Sequence, residues 1–397
     1  MAKKHLLLII ILSLLSATGC WDLREINTSA IPITMGIELS PTQKITFSTL
    51  FEQPVKPAEA TNSQIKTIVV TASDDSVAMA ARRQMLSLSR VSDWEHVQTI
   101  VLGDNLVRND LLRAMDFINR NRNIRPDIPL FVMSGSSPEE LLAEMSKLGD
   151  GLKQLIVVNE LQLGIYVPAT TGEFIYKLMT PGIEATVPQL IIKEVPGNAE
   201  TGGGGDKNTP AADTMKKVIA LQGTAVFKGS KMTGYLDETE SRGYRWLNSE
   251  IKTGGFLLVK SPLNPQDYVV LEVVRFSSKT RPRLCGNNLK MQLDINAQVD
   301  FYEATGPGEL LTPAMIKKVE AAANVEIARQ IRRCIHKSQN LNSDILGWGL
   351  ILHEYQPDKW KQLQPVWNEL YPFIEADVSV KTVINQTYLS HKSLKFR

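Results

Sequence analysis

Residues 289–301, LKMQLDINAQVDF, and residues 313–337, PAMIKKVEAAANVEIARQIRRCIHK, decide the fold class of this chain. In the first stretch apolar and polar residues alternate, and the apolar set is Met291, Leu293, Ile295, Ala297, Val299 and Phe301. This two-residue period predicts a strand with one buried face, which is typical of antiparallel sheets. In the second stretch the three- to four-residue spacing predicts a long helix with one apolar face. The buried stripe of that helix is predicted to be Ile316, Val319, Ala323, Ile327 and Ile331.

The same pattern continues to the end of the chain. Residues 344–354 and 358–370 read as shorter helices, the second bent or broken at Pro365 because proline lacks the amide that a helix interior needs. Alternating apolar residues at 374–380 predict a closing strand. Strand, helices and strand in this order indicate an α+β domain over residues 301–397.

The part that precedes these segments reads as a mixed α/β domain over residues 20–195. Strands are predicted at 30–39, 44–51, 65–71, 97–102 and 129–134, with helices after residue 74, at 110–121 and after Ser137. The β–α–β–α–β order of the later elements is consistent with a mixed or parallel sheet. Residues 214–300 contain several further strand runs and are interpreted as a β-rich middle domain.

Residues 196–213 separate these two parts and show no periodicity. The segment contains four consecutive glycines, Gly202–Gly205, which make a chain flexible. It is either a linker between domains or a long loop inside one domain.

The first nineteen residues resemble a bacterial lipoprotein signal peptide. Lys3 and Lys4 precede an apolar run that is too short for a membrane span, and small residues lead to Cys20. In lipoproteins the thiol at this position receives diacylglycerol, and after cleavage the new N-terminus is acylated, which anchors the chain stably to a membrane. Ala17 stands where such signals favour leucine, and the alternative is an ordinary cleaved signal.

The composition excludes several classes of protein. The chain has 397 residues with Lys+Arg 44 against Asp+Glu 42, so its balance argues against a nucleic-acid-binding protein. A mean hydropathy of −0.10 argues against a polytopic membrane protein. Three cysteines exclude a disulfide scaffold, and the sequence leaves open whether Cys285 and Cys334 pair.

Sequence motifs for catalysis are absent. The chain has neither an H-E-x-x-H nor a C-x-x-C spacing for zinc, nor a G-x-S-x-G nucleophile elbow. We therefore predict a protein without catalytic residues, metal site or cofactor other than the lipid on Cys20.

Several motifs resemble the Ger(x)C lipoprotein family, the C subunits of spore germinant receptors. The resemblance rests on the opening Cys20-Trp21-Asp22-Leu23-Arg24-Glu25-Ile26 with Met35-Gly36-Ile37, on the Gly223–Lys228 strand with the following turn and helix, and on Asp344-Ile345-Leu346-Gly347-Trp348-Gly349. These motifs occur in the family's order along about nine-tenths of the mature chain.

The resemblance implies a three-domain, elongated mixed α/β protein without known catalysis. It also implies a complex with an A and a B membrane subunit, at the outer face of the spore inner membrane, that senses nutrients. Trp21, Asp22, Arg24 and Glu25 would lie beside the anchor at the membrane surface, where a tryptophan ring suits the interface. Trp348 either packs internally against the long helix or is presented to a partner.

Two other functions remain as alternatives. A solute-binding lipoprotein of an importer would share the anchor, the size and the mixed α/β content, but it would need two similar lobes around a cleft. A secreted hydrolase is disfavoured because its motifs are missing.

Overall fold

The computed structural model describes His5 and residues 29–52, 67–88, 90–148, 152–196, 215–251, 254–285, 288–306 and 312–386. Apart from His5, the predicted signal peptide lies outside these residues, and so do Cys20, the segment 21–25 and the glycine-rich segment from residue 197 onward. The described chain is organised around two mixed β-sheets with helices packed against them. Within the described ranges, no helix has both the length and the hydropathy needed to cross a membrane.

The first sheet contains nine strands. They are β1 (Ser29–Leu39), β2 (Ile45–Glu52), β3 (Thr67–Asp74), β4 (Val91–Ser92), β5 (Thr99–Gly103), β6 (Leu130–Met133), β7 (Thr186–Pro196), β8 (Met215–Lys228) and β9 (Lys231–Leu236). Their order is β3-β2-β1-β5-β6-β7-β8-β9, and β4 pairs with β1. The central strands β1, β5, β6 and β7 are parallel, and β4 pairs with β1 in parallel as well. Strands β2, β3, β8 and β9 are antiparallel to their neighbours. The predicted mixed sheet is therefore confirmed.

Helices cover both faces of this sheet. They are α1 (Val77–Arg83), α2 (Met85–Leu88), α3 (Asp104–Asn109), α4 (Leu111–Arg120), α5 (Pro138–Leu148), α6 (Leu152–Val158) and α7 (Thr171–Met179). Because side chains alternate along a strand, Ile100 and Leu102 pack with α3 and α4, whereas Val101 packs with α5 on the opposite face. The chain after β5 thus turns to one face, and the chain after β6 turns to the other.

The second sheet contains β10 (Phe256–Lys260), β11 (Tyr268–Cys285), β12 (Asn288–Ala304) and β13 (Glu375–Ile384). The first three strands are antiparallel, and β13 joins β12 in parallel. The helices of this half are α8 (Glu238–Leu247), α9 (Pro313–Asn340), α10 (Trp348–Tyr355), α11 (Pro357–Leu363) and α12 (Trp367–Leu370). The alternating stretch 289–301 is confirmed as a strand with its apolar face in the core.

The long helix α9 forms where the sequence places it. Thr312 caps its start by accepting a hydrogen bond from the amide of Met315, and Pro313 occupies the favoured first turn. Its predicted stripe is buried from Val319 to Ile331, and Ile316 at the first turn is half-buried. Cys334 continues the stripe as a free thiol, and burial raises its pKa.

The limits of the predicted middle domain, 214–300, differ from the sheet topology. Strands β8 and β9 complete the first sheet, whereas β10–β12 form the second, and residue 300 lies inside β12. The segment 196–213 joins β7 to β8, which pair in antiparallel fashion from Thr186–Val226 to Pro196–Met215. It therefore connects neighbouring strands of one sheet. Sheet membership depends on which strands pair, and the residue pattern along the chain does not predict that pairing.

Some helix ends also differ from the predictions. The helix predicted from residue 344 begins only at Trp348, because Gly347 adopts a left-handed conformation with φ of 66°. The helix expected to begin after residues 73–74 is capped by Ser76, since β3 continues through Asp74. The break at Pro365 is confirmed, because α11 ends at Leu363 and a short 3₁₀ turn precedes α12.

We predict that Ile327→Ala lowers the free energy of unfolding by about 2–5 kcal/mol, because it leaves a cavity between α9 and the second sheet. Val325→Ala on the same helix is the matched control, since Val325 is 69% exposed and its loss should change stability by less than about 0.5 kcal/mol. Denaturant unfolding of both variants measures the difference. Equal losses of stability in the two variants would show that Ile327 does not lie on the buried face of α9.

Candidate functional site at the junction of the two sheets

Of the candidate residues identified from the sequence, the structure describes only Trp348. Cys20, Trp21, Asp22, Arg24 and Glu25 lie outside the described residues. Trp348 lies where the two sheets meet. We therefore examine the segment around Trp348 as the candidate site.

Trp348 belongs to the core of the second sheet. Its side chain is 1% exposed, and its ring contacts Tyr371 edge to face at 5.7 Å between centroids. Trp360 and Trp367 form a second edge-to-face pair at 5.2 Å, and Trp367 also approaches Tyr371. Of the two alternatives given for Trp348, internal packing and presentation to a partner, its burial in this structure corresponds to internal packing.

Asp344 organises the start of α10. Its carboxylate accepts hydrogen bonds from the amides of Trp348 and Gly349 at 2.9 and 2.8 Å, and from the indole nitrogen of Trp367 at 3.0 Å. A helix start leaves amides without partners inside the helix, and its dipole favours negative charge. Asp344 therefore meets both needs and also fixes the ring of Trp367.

Burial governs the charge of this carboxyl group. Asp344 is only 4% exposed, and burial raises its pKa to about 7 although the three donors lower it. Glu184 adds a further carboxylate nearby, and burial raises its pKa as well. Tyr371, which shares a hydrogen bond with Ser338, also has a raised pKa because it is buried beside Asp344. The site thus holds two acidic groups that bind protons more tightly than in water.

Backbone hydrogen bonds join the Asp344 segment to the first sheet. The amide of Glu184 donates to the Asp344 carbonyl at 2.9 Å, and the amide of Leu350 donates to the Gly182 carbonyl at 2.8 Å. The hydroxyl of Ser343 donates to the carbonyl of Phe227 on β8. The contact with Gly182 requires glycine at both positions, because a Cβ on Gly349 would lie 2.6 Å from the Cα of Gly182.

Helix α8 makes a second connection between the sheets. Tyr244 lies between them and accepts hydrogen bonds from Thr186 at 3.3 Å and from Lys177 at 3.4 Å. On the other side, the Trp246 indole nitrogen donates to the Gln330 side chain of α9 at 2.9 Å. The two connections together hold the sheets in one fixed arrangement.

A cavity of about 220 Å³ remains at this junction. Its walls include Glu184, Asn342, Asp344, Trp360 and Tyr371. The side-chain amide oxygen of Asn342 is buried and has no hydrogen-bond partner among the described atoms. Within the described part of the chain, no three His, Cys, Asp or Glu side chains group so that they would hold a metal ion. The arrangement can bind a proton at Asp344 and holds the Asp344 segment against the first sheet.

Sequence reasoning identified this segment through Trp348 and did not assign a role to Asp344. An aspartate shortly before an apolar helix is a capping signal, so Asp344 was recognisable in principle. The turn at Pro181-Gly182 was also recognisable from its composition. Their contact with each other was not, because the two segments lie far apart in the sequence and no local pattern relates them.

Comparison with known proteins covers almost the whole chain. The family model for the spore germination protein N-terminal domain matches residues 22–192, and the model "Spore germination B3/GerAC like, C-terminal" matches residues 222–388. The first match ends inside β7 and the second begins inside β8, so strands from both matched regions build the first sheet.

Individual relatives agree with these matches. Spore germination protein KC of Bacillus subtilis is 22% identical over 409 residues, covering 100% of this chain and 98% of the relative. Spore germination protein GerQC of Bacillus cereus is 20% identical, covering 73% of this chain and 74% of the relative. The crystal structure of the GerBC protein superposes with a TM-score of 0.55 at 16% identity, covering 88% of this chain and 96% of that one, so the fold is shared.

We predict that Asp344→Asn lowers the free energy of unfolding by about 2–4 kcal/mol, because an amide leaves buried donors without an acceptor. Asp358→Asn is the matched control, since the side chain of Asp358 is 96% exposed and should be tolerated. Denaturant unfolding compares the two. A stable Asp344→Asn protein would show that the carboxylate does not hold the junction.

We also predict that Asp344 makes stability depend on pH. Its pKa is raised from 3.8 to about 7 on folding, so the folded state binds this proton more tightly than the unfolded state does. The stabilisation that proton binding at Asp344 gives the folded state is fully present below pH 3.8 and is lost as the pH rises through about 7. The unfolding free energy of the parent chain should therefore fall more over this window than that of Asp344→Asn. Parallel pH profiles of the two proteins would contradict the prediction.

Proposed function

The chain belongs to the Ger(x)C family of spore germination proteins, and from this membership we propose that it is the lipid-anchored C subunit of a nutrient-sensing germinant receptor. The observation that carries the proposal is the pair of family models, which match both halves of the chain in the family's order. The shared fold with the GerBC protein supports the same reading. In this role the chain acts in spore germination.

Membrane attachment is the second part of the proposal. Cys20 follows a short apolar run and small residues, the arrangement of a lipoprotein signal. Diacylglycerol on its thiol and an acyl group on its amine would anchor the chain to the outer face of the spore inner membrane. Trp21, Asp22, Arg24 and Glu25 would then lie at the membrane surface.

We further propose that the subunit works by binding rather than by catalysis, as a scaffold for the A and B membrane subunits of the receptor. The junction supports this role, because its carboxylate, indoles and hydroxyls hold one part of the chain to another. Two sheets fixed to each other form a stiff body, which suits a subunit that positions its partners. The importer alternative is less well supported, because its two lobes should be alike and these sheets have nine and four strands.

The receptor role is tested in spores of the organism that encodes the chain. Deleting the gene should abolish or slow germination with at least one nutrient while leaving heat resistance unchanged. An affinity-tagged chain should co-purify from spore membranes with a permease-like subunit and a larger subunit. Normal nutrient responses in the deletion strain, together with purification of the chain alone, would refute the proposal.

We predict that Cys20→Ala releases the chain from the membrane fraction, because the thiol that carries the lipid is lost. Cys334→Ala is the matched control, since it removes a buried thiol far from the signal and should leave the chain in the membrane. Fractionation of spores and mass spectrometry of the mature N-terminus provide the readout. An unmodified N-terminal residue, or membrane attachment of Cys20→Ala, would disprove the lipid anchor.

A further inference from the structure

A large cleft opens at one edge of the first sheet, away from the junction. It measures about 620 Å³ and lies at the carboxyl ends of β1 and β5 and against the loop that follows β6. Cavities between about 300 and 1,000 Å³ are the usual size of small-molecule sites. Its position and size together make it a candidate for ligand binding.

The winding of the chain creates this cleft. After β5 the chain enters α3 and α4 on one face of the sheet, and after the neighbouring β6 it enters α5 on the opposite face. Where adjacent parallel strands lead to opposite faces, their loops separate and leave a crevice at the carboxyl edge, which is where open α/β sheets bind ligands. Asp104 and Asn105 line the crevice from α3, and Ser136 and Glu139 line it from the loop after β6 and from α5.

Glu38 occupies the floor of the cleft at the end of β1. Its carboxylate accepts a hydrogen bond from the amide of Leu39 at 3.0 Å and lies directly against Gly103, the last residue of β5. A Cβ at position 103 would occupy the place of the carboxylate, so glycine is required there. The side chain is thus held at the end of two neighbouring strands.

Asp104 is held by a network on the side of the cleft. The hydroxyl of Tyr235 on β9 donates to one carboxylate oxygen at 2.6 Å, and Arg108 donates to the other at 2.7 Å. The Asn105 amide donates to the carbonyl of Leu39 at 2.7 Å and ties α3 to the end of β1. These contacts fix the wall of the cleft before any ligand arrives.

The charged side chains that line the cleft are acidic, and one of them, Asp104, is paired with Arg108. None of the described residues that line it is lysine, arginine or histidine, whereas Glu38, Asp104 and Glu139 are acids. Burial and the nearby Asp104 raise the pKa of Glu38 to about 7, and no cation lowers it. A ligand that brings a positive charge would supply the missing partner. The hydroxyl of Ser136 at the cleft edge can hydrogen-bond to a polar ligand, and that of Ser137, which accepts from the Glu140 amide, can still donate its proton.

We propose that this cleft binds a small molecule that carries a protonated primary amine together with hydroxyl groups, with the amine placed against Glu38. The carboxylate would accept a charge-assisted hydrogen bond from the ammonium group, which is stronger than one between neutral groups. The preformed crevice supplies the shape, and the serine hydroxyls supply the polar contacts. This inference concerns a ligand of the subunit itself and goes beyond its place in a receptor.

The test is saturation-transfer NMR on the full lipidated chain purified in detergent, with matched pairs of probes. The amines are serinol and glucosamine, and their neutral counterparts are glycerol and glucose. We expect saturable binding of both amines and weaker binding of the neutral compounds. Neutral probes that bind as well as the amines, or no saturable binding of either amine, would overturn the proposal.

Two variants locate the site. Glu38→Gln keeps the shape of the side chain and should weaken amine binding by about tenfold or more, the equivalent of about 1.4 kcal/mol. Glu140→Gln is the matched control, because Glu140 is exposed on the first turn of α5 and does not line the cleft. Circular dichroism and melting verify that both variants fold. Ser136→Leu, which fills the cleft without changing a charge, should also weaken binding. Unchanged amine affinity in folded Glu38→Gln and Ser136→Leu proteins would refute the assignment.

Discussion

The buried carboxylate of Asp344 is the interaction on which the arrangement of the two sheets depends. Its carboxylate accepts hydrogen bonds from an amide at the start of α10 and from the Trp367 indole. The segment that contains it also forms backbone hydrogen bonds with Gly182 and Glu184. A carboxylate in this position is expensive to bury unless donors surround it, and three donors do so here. The aromatic cluster of Trp348, Trp360, Trp367 and Tyr371 packs around the segment that this carboxylate holds.

The junction joins two parts of the molecule, the first sheet with its cleft and the second sheet with its aromatic core. The first sheet begins at Ser29, shortly after the proposed anchor at Cys20, and carries the cleft at the opposite edge, where β1 ends. The second sheet is tied to the first through the Asp344 segment and through α8.

The outcome for individual elements shows which sequence signals were sufficient. The alternation at 289–301, the stripe of α9 and the break at Pro365 were predicted correctly, because each depends on residues within one or two helical turns or strand repeats. The membership of β8 in the first sheet was not predicted, because its partner is β7 across a long segment without periodicity. Trp348 was identified as important, but its burial depends on Tyr371 and on the helices that cover it.

The sequence by itself determined much of the secondary structure, the mixed α/β character and the resemblance to a family, since these follow from local periodicity and from short motifs. Only the tertiary structure decided that Glu38 lies against Gly103 and that Gly349 lies against Gly182. The physical reason is that both contacts join segments distant in the chain, and sheet pairing and helix packing bring them together. Raised pKa values at Glu38 and Asp344 arise in the same way, because burial is a property of the assembled fold.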